Sequence, residues 1–302
     1  MAILPINIPF PLTDPPWKPA SGPQNSVGGP VVYSHTAFVG GPNGGNMIVV
    51  GGVVPTTKKI NSDDELIAYS YDCDIGRWNS FSLPSQNYLN RQGTASSIAS
   101  NGIAHIWGGK RAIVTGGTAS SATPSQGNNN NGIGSIPSST TINTTKPRLP
   151  ATMYQIDSFF PTNSTMAPIT SILPPLRYGH TQTLINDRTI VILGGFDSLS
   201  GDAVSLADIW LYDIPTSIWT HKFADLDKDN KPANRSSHSQ LLMPDGVSIL
   251  IYGGYDGYHV YNDVAVLDTR TWSWTIKNTN AAVQGRADVS NFFAFFLSNS
   301  DL

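Results

Sequence analysis

The sequence is poor in cysteine, in charge and in glutamate, and each shortage excludes a class of protein. Cys73 is the one cysteine among 302 residues, so a scaffold held by intrachain disulfides is excluded. Charged residues make up 13% of the chain, whereas the solvated faces of long helices are normally richer in them. Glu65 is the only glutamate, which weakens any glycosidase mechanism that depends on paired carboxylates.

Long apolar runs and an excess of basic residues are also missing. No stretch approaches the ~18 apolar residues of a membrane span, and the apolar run at 292–297 is far too short. The N-terminal segment has no basic region and is interrupted by prolines, which is not the pattern of a signal peptide. The net charge of −3 offers no basic surface for a phosphate backbone. We therefore expect no membrane span and no nucleic-acid partner.

Glycine is abundant, and diglycines recur at a regular interval. They follow β-rich apolar runs in MIVVGG, AHIWGG, IVILGG and ILIYGG, at 51–52, 108–109, 194–195 and 253–254. The one long interval contains residues 118–145, which are mostly Ser, Thr, Asn, Gly and Ala. Such a tract buries too little apolar surface to offset its ordering entropy. We expect one β-rich domain over residues 1–302, with 118–145 as a low-complexity insertion loop.

Three further signals keep phase with the diglycines. An arginine precedes the later pairs by 17 or 18 residues, at Arg91, Arg177 and Arg235. A histidine recurs near the start of three repeats, at His35, His180 and His238. After the glycines comes Tyr or Leu, then Asp, then Trp, as in YDCDIGRW, LYDIPTSIW and LDTRTW. In the second repeat Phe159 or Phe160 stands in the tryptophan's place. These phased signals predict a repeat architecture.

The repeat resembles the kelch motif, with an apolar run, a diglycine and then spaced Tyr and Trp. In that family each repeat is a four-stranded blade of a β-propeller, and the diglycine ends the second strand. The resemblance implies an all-β kelch propeller in which Trp219 and Trp274 fill the space between blades. The segment LLMPDGVSILIYGG also resembles fungal cell-surface kelch proteins. If that holds, the location is extracellular or at the cell surface; otherwise it is cytoplasmic.

The two ends of the sequence suggest a shared blade. Arg286 begins a fifth copy, and the 17-residue spacing puts its diglycine at about position 303, beyond the last residue. Residues 6–17, an apolar segment that ends at Trp17, have the features of the missing second half. We expect residues 6–17 to pair with the strand around 292–297 and to close a propeller of about five blades. The alternative is a fragment of a six- or seven-bladed protein.

No pattern for catalysis or metal binding accompanies the repeat. The kelch superfamily includes galactose oxidase, whose copper site uses Tyr, His and a Tyr–Cys cross-link, but Cys73 lacks such neighbours and is interpreted as a small packed side chain. Thr94 and Val289 replace the phased histidine in two repeats, so we interpret that histidine as a hydrogen-bonding residue inside each blade. The phased arginines are interpreted in the same way, the alternative being a basic ring at a channel mouth. Asp208 and Asp263 are interpreted as turn caps. We expect no enzyme, no metal and no cofactor.

The loops that follow the diglycines are the candidate binding site, because in kelch propellers they lie on one face and often contact partners. Exposed aromatic side chains are typical binding anchors. The candidate residues are Lys110, Arg111, Phe196, Asp197, Tyr255, Asp256, Tyr258 and His259. The alternative for Phe196 and Tyr255 is that they fold back over their blade. The first hypothesis is a protein-interaction module with an unidentified protein partner. The second is a carbohydrate-binding or carbohydrate-active propeller related to galactose oxidase.

Overall fold

The structure is a computed structural model of the chain, and it describes residues 2–3, 18–19, 29–53, 67–84, 91–111, 152–225, 231–277 and 285–287. The predicted insertion at 118–145 and the predicted pairing between 6–17 and 292–297 lie outside these residues. Within the described ranges, no helix has the length and apolar character that a membrane span needs.

Twenty β-strands are described, joined by turns and short 3-10 segments. In chain order they are β1 (Ala2–Ile3), β2 (Lys18–Pro19), β3 (Thr36–Gly40), β4 (Asn46–Val50), β5 (Ile67–Asp72), β6 (Arg77–Ser82), β7 (Arg91–Ile98), β8 (Ile103–Arg111), β9 (Tyr154–Asp157), β10 (Thr165–Met166), β11 (Arg177–Tyr178), β12 (Thr181–Ile185), β13 (Thr189–Leu193), β14 (Phe196–Asp197), β15 (Asp208–Asp213), β16 (Ile218–Phe223), β17 (Ser239–Leu242), β18 (Ser248–Tyr252), β19 (Val264–Asp268) and β20 (Ser273–Lys277). The described part of the chain is all-β, as predicted.

Sixteen of these strands form four antiparallel, four-stranded sheets, which match the blades that the kelch resemblance implies. Blade 1 is β3-β4-β5-β6, blade 2 is β7-β8-β9-β10, blade 3 is β12-β13-β15-β16 and blade 4 is β17-β18-β19-β20. The first strands of neighbouring blades contact one another. The diglycine follows the second strand in blades 1, 3 and 4, whereas in blade 2 strand β8 continues through it to Arg111.

Trp219 and Trp274 lie between blades, as predicted. Each tryptophan lies on the fourth strand of its blade, opposite a residue of the third strand. These register pairs are Tyr71–Trp78, Tyr212–Trp219 and Leu267–Trp274. The ring centroid of Trp219 lies 5.3 Å from that of Trp107 in blade 2. Trp274 donates from Nε1 to the carbonyl of Leu206 in blade 3, at 3.0 Å. All three phased tryptophans are buried; Trp219 and Trp274 fill gaps between blades, whereas Trp78 packs against Val49 and Tyr71 of its own blade.

Blade 2 departs from the prediction that Phe159 or Phe160 replaces the tryptophan. The pairing of Gln155 with Thr165 places Ser164 at the tryptophan's position, because a 3-10 turn at Pro161–Asn163 makes this connection one residue longer. Phe159 and Phe160 are 44% and 65% exposed. The interpretation of these two phenylalanines as core residues is therefore wrong.

A line of backbone hydrogen bonds joins the first strands of the four blades. Gly93 N–H donates to Ser34 O at 2.8 Å, Gly179 N–H to Gly93 O at 2.8 Å, and Ser237 N–H to Gly179 O at 2.7 Å. All four residues have positive φ, between 54° and 67°, which turns their peptide groups out of their own sheets. The blades are therefore held to each other by main chain as well as by side-chain packing.

The diglycines make a second set of backbone bonds to the next blade. Their second glycine donates to the carbonyl of the following repeat's arginine, in Gly52 to Arg91, Gly195 to Arg235 and Gly254 to Arg286, at 2.7–2.9 Å. Gly195 has φ +94°, and a Cβ there would lie 2.9 Å from the Cβ of His180. Glycine is required there because the backbone has positive φ and lies in close contact with the residues that precede the first strand of its own blade. The bond to Arg286 gives this residue the same relation to blade 4 that Arg91 and Arg235 have to the blades before them.

Candidate binding face

The loops after the diglycines lie at one end of the strands, and we call this end the diglycine face. Buried arginines donate hydrogen bonds to the diglycine carbonyls at the start of these loops. Arg177 is 1% exposed, and its Nη1 donates to the carbonyl of Gly194 at 3.3 Å. Its Nη2 lies 3.2 Å from Asp208 Oδ2 at the start of β15. Burial lowers the pKa of Arg177, and the charge of Asp208 opposes that shift. The loop, the third strand and the arginine are thus tied together.

Blade 4 repeats this arrangement with a stronger ion pair. Arg235 Nη1 donates to Gly253 O at 3.0 Å and to Asp263 Oδ1 at 2.5 Å, while Nη2 donates to Asp263 Oδ2 at 2.9 Å. The guanidinium carbon lies 4.2 Å from the ring centroid of Tyr261. The interpretation of Asp208 and Asp263 as turn caps is wrong, because their carboxylates neutralise buried arginines.

Arg91 completes the series in blade 2, where Nη1 lies 3.2 Å from both Gly108 O and Gly109 O. Arg91, Arg177 and Arg235 are 6%, 1% and 1% exposed. Their structural role is confirmed, and the alternative of a basic ring at a channel mouth is wrong for these three because their charges are covered. Arg286, at the start of the fifth copy, is exposed.

Three aromatic side chains form a row across blades 3 and 4 on the diglycine face. The ring centroids of Tyr178 and Phe196 are 5.5 Å apart, and those of Phe196 and Tyr255 are 6.0 Å apart in an edge-on contact. Lys110 of blade 2 places its Nζ 4.1 Å from the centroid of Tyr178. Tyr178 thus connects three of the predicted residues, Lys110, Phe196 and Tyr255. We call the rings of Tyr178, Phe196 and Tyr255 the aromatic row.

The rings of the aromatic row are half-buried because they cover one another. Phe196 and Tyr255 therefore neither stand free nor fold back over a single blade; they pack across the boundary between two blades. Edge-on and tilted contacts at these distances are favourable for aromatic pairs. The row gives this face a continuous apolar strip whose rings are already fixed in place.

The loop 255–261 is shaped by Asp256 and carries the most exposed ring of the face. Asp256 Oδ1 accepts the backbone N–H groups of Tyr258 and His259, at 2.8 and 2.6 Å. Its Oδ2 accepts the hydroxyl of Tyr261 at 2.6 Å. These hydrogen bonds, that from Tyr261 first, hold the pKa of Asp256 far below its ordinary value. Tyr258 is 90% exposed at the tip of a loop that its own hydrogen bonds define.

Asp197 has the same role in blade 3. Its Oδ1 accepts the backbone N–H groups of Leu199 at 2.7 Å and Ser200 at 2.9 Å, which leaves Leu199 72% exposed at the loop surface. Side chains that satisfy nearby backbone amides in this way define the loop conformation. Asp197 and Asp256 therefore fix the backbone conformation of the two loops, and the side chains that project into solvent are those of Leu199 and Tyr258.

The remaining predicted residues lie at the margin of the aromatic row. Arg111 is exposed beside Lys110 at the end of β8, and His259 is exposed next to Tyr258 with its Nδ1 3.1 Å from Asp256 Oδ2. The sequence analysis missed Tyr178. Register was the signal that could have found it, because the residue after each phased arginine pairs with the residue after the diglycine, as β11 pairs Tyr178 with Phe196.

His238 and His180 make their contacts between blades and not the hydrogen bonds within a blade that were predicted. His238 Nε2 lies 2.7 Å from Thr181 Oγ1 of blade 3, and the ring of His180 meets that of Trp107 edge-on at 5.0 Å. Burial lowers the pKa of His180 and His238 to about 3, and His35 is exposed. Among the residues that the structure describes, no group of His, Cys, Asp or Glu side chains could hold a metal ion.

Cys73 is also placed differently from the prediction. It is exposed in the turn between β5 and β6, whereas a packed side chain was expected. The turn is shaped by Asp72, whose Oδ1 accepts the backbone N–H groups of Asp74 and Ile75, and this geometry leaves Cys73 at the surface. Partial burial raises the pKa of the Cys73 thiol.

Comparison with known proteins agrees with this architecture. The profile of the KLHDC2/KLHL20/DRC7 Kelch-repeats domain matches residues 150–295. An F-box/kelch-repeat protein of Arabidopsis thaliana is 40% identical over 105 residues, which is 33% of this chain and 21% of that protein. Kelch domain-containing protein 3 of Homo sapiens is 32% identical over 107 residues, 35% of this chain and 26% of that protein. The chain thus matches only about a quarter of the length of these relatives.

Proposed function

The chain is a kelch-repeat protein, and from this we propose that it is a non-catalytic interaction module whose diglycine face binds a protein partner. The observation that carries the proposal is the aromatic row together with the self-bonded loop that presents Tyr258. The proposed contact residues are Lys110, Arg111, Tyr178, Phe196, Leu199, Tyr255, Tyr258 and His259.

Two physical features support a protein partner. Tyrosine and arginine are enriched among the residues that dominate the energy of protein interfaces, and this face presents both next to an apolar strip. The loop 255–261 is ordered before binding, because Asp256 already satisfies its backbone amides. A preorganised loop loses little conformational entropy when a partner docks, so more of the contact energy becomes affinity.

The state of the carboxylates on this face supports a binding role over a catalytic one. Asp197 and Asp256 accept hydrogen bonds from loop amides, and Asp256 has a strongly lowered pKa. A general base works best with a pKa near the operating pH, so a carboxylate held far below its ordinary value is poorly suited to that task. Both residues serve the loop conformation.

The proposal is tested by affinity capture from the protein's own cells, followed by binding measurements with the captured partner. We expect Tyr258→Ala and Phe196→Ala each to weaken binding at least about tenfold, since truncation of an interface hot spot costs ~2 kcal/mol or more. Phe223→Ala is the matched control, because Phe223 is 72% exposed on the outer strand of blade 3. Equal binding by all three variants would show that the partner does not use this face.

A further inference from the structure

A cleft with both polar and apolar lining lies between blades 2 and 3 at the end of the strands opposite the diglycine face. Its volume is about 330 Å³, and its walls include Ile103 and Gln155 of blade 2 and Ile214 of blade 3. This volume lies at the lower end of the range for small-molecule sites. Along β8, Ile103 at the cleft and Lys110 at the diglycine face are separated by about 23 Å of extended strand. The cleft is therefore separate from the proposed protein-binding face.

The cleft arises where blade 2 breaks the pattern of the repeat. Strand pairing places His105, Gln155 and Thr165 in one row across β8, β9 and β10. The equivalent positions are occupied by Val191, Leu211 and Thr220 in blade 3. In blade 4 they are occupied by Leu250, Val266 and Thr275. In blade 1 it reads Ile48, Ser70 and Asn79. Among the four described blades, blade 2 alone has a titratable side chain on the second strand of this row.

His105 has unused hydrogen-bonding capacity at the base of the cleft. It is 1% exposed, and its Nδ1 has no hydrogen-bond partner among the described residues. The backbone of Ile103 interacts with the ring and opposes the lowering of the His105 pKa by burial, but this contact falls outside the geometry of a hydrogen bond to Nδ1. Nε2 lies 3.4 Å from Gln155 Nε2. Because an unpaired buried polar atom is costly, this arrangement favours a ligand that supplies the missing partner.

The charge state of the cleft narrows the ligand class. Burial lowers the pKa of His105 to about 4, so near neutral pH the ring is uncharged, with one donor and one acceptor. Gln155 and Asn163 each offer an amide that both donates and accepts, and Asp157 offers a carboxylate at the rim. Among the residues that the structure describes, no lysine or arginine lines the cleft, so a phosphate or another anion would meet no counter-charge from them.

Apolar surface accompanies these polar groups. Ile103 and Ile214 form part of the wall, and the 44% exposed ring of Phe159 lies against Gly102, which stands between the lining residues Asn101 and Ile103 in the chain. A site with apolar walls and a few convergent polar groups is typical of small-ligand recognition. The exposed aromatic ring offers a flat apolar face to the C–H side of a cyclic ligand.

We propose that this cleft binds an uncharged saccharide unit. A sugar ring presents several hydroxyls that donate and accept, which suits His105, Gln155 and Asn163, and it carries no charge that the site would have to neutralise. Its C–H face suits the ring of Phe159. The Asp157 Oδ1 atom already accepts the backbone N–H groups of Phe159 and Phe160, at 2.9 Å each. The other oxygen of that carboxylate is an acceptor for a sugar hydroxyl.

The test is saturation-transfer NMR on the full chain with glucose, galactose, mannose, xylose and N-acetylglucosamine at millimolar concentration. At least one sugar gives a transfer signal with the wild type. Gln155→Leu introduces the residue that blade 3 has in this row, and it weakens that binding about tenfold, as expected for loss of one hydrogen bond to the ligand. Tyr258→Ala, on the opposite face, leaves sugar binding unchanged.

A double variant separates a binding role from a structural one. His105→Val with Gln155→Leu gives blade 2 the apolar residues of blade 3, and we expect it to lose sugar binding while Tm stays the same or rises. A lower Tm of the double variant would show that the polar row stabilises the blade, and would overturn the proposal. So would the absence of a signal from every sugar with the wild type. Because the double variant keeps Tyr258, its affinity for the captured protein partner tests the diglycine face independently.

Discussion

Arg235 and Asp263 form a bidentate ion pair beneath the loop that presents Tyr258, with N–O distances of 2.5 and 2.9 Å. The guanidinium is 1% exposed and also holds the carbonyl of Gly253, so one side chain fixes the end of the second strand to the start of the third. The arginine that recurs in phase with the diglycines is thus the internal support of the candidate binding face.

Removal of one partner of this pair should strongly destabilise the domain. We expect Asp263→Asn to lower the free energy of unfolding by about 3 kcal/mol, because it leaves the Arg235 charge buried and uncompensated. Asp268→Asn, which breaks the exposed pair with Arg270, is the control and should leave the denaturant midpoint unchanged. Equal effects of the two substitutions in urea titrations would contradict the assigned role of Arg235.

The buried histidines should make the domain sensitive to acid. Burial lowers the pKa of His180 and His238 from 6.5 to about 3 in the folded state. The unfolded chain therefore binds these protons at a higher pH than the folded chain does, so stability falls as the pH drops from about 6.5 toward 3. We expect His238→Gln to flatten the fall in urea midpoint between pH 6.5 and 4. An unchanged slope would show that His238 does not contribute.

The repeat in the sequence was enough to predict the blades, but it predicted fewer of the contacts between blades. Periodic diglycines, arginines and tryptophans located four sheets and the inter-blade position of Trp219. The position of Phe159 depended on a single extra residue in one turn, which no periodic signal reveals. The bond of His238 to Thr181 and the contact of Tyr178 with Phe196 depend on strand register. The polar row at His105 became visible only when strand pairing aligned equivalent positions of the four blades.

Residues 118–145, which lie outside the described part of the structure, stay a predicted insertion loop. Their deletion should leave Tm within a few degrees, because the closure entropy of a long loop grows only slowly with its length. Calorimetry of the deletion variant beside the full chain checks this. A large loss of Tm would mean that the tract packs against the propeller.

The shared blade also stays a prediction, since residues 6–17 and 292–297 lie outside the described ranges. The structure does pair β1 with β2, which brings Ile3 opposite Lys18. We expect deletion of residues 1–18 to expose an apolar strand edge and to give aggregated protein. Size-exclusion chromatography of the truncated chain provides the measurement. A monomeric product with unchanged Tm would favour a fragment of a larger propeller.

The most direct test of the central claim is site-specific photo-crosslinking in the protein's own cells. The substitution Tyr258→p-benzoylphenylalanine places a reactive group at the 90% exposed tip of loop 255–261, and Phe223→p-benzoylphenylalanine places the same group on the outer strand of blade 3. The account predicts covalent adducts with a partner protein from position 258 and none from position 223. Adducts from position 223 alone would contradict the assignment of the diglycine face as the binding surface.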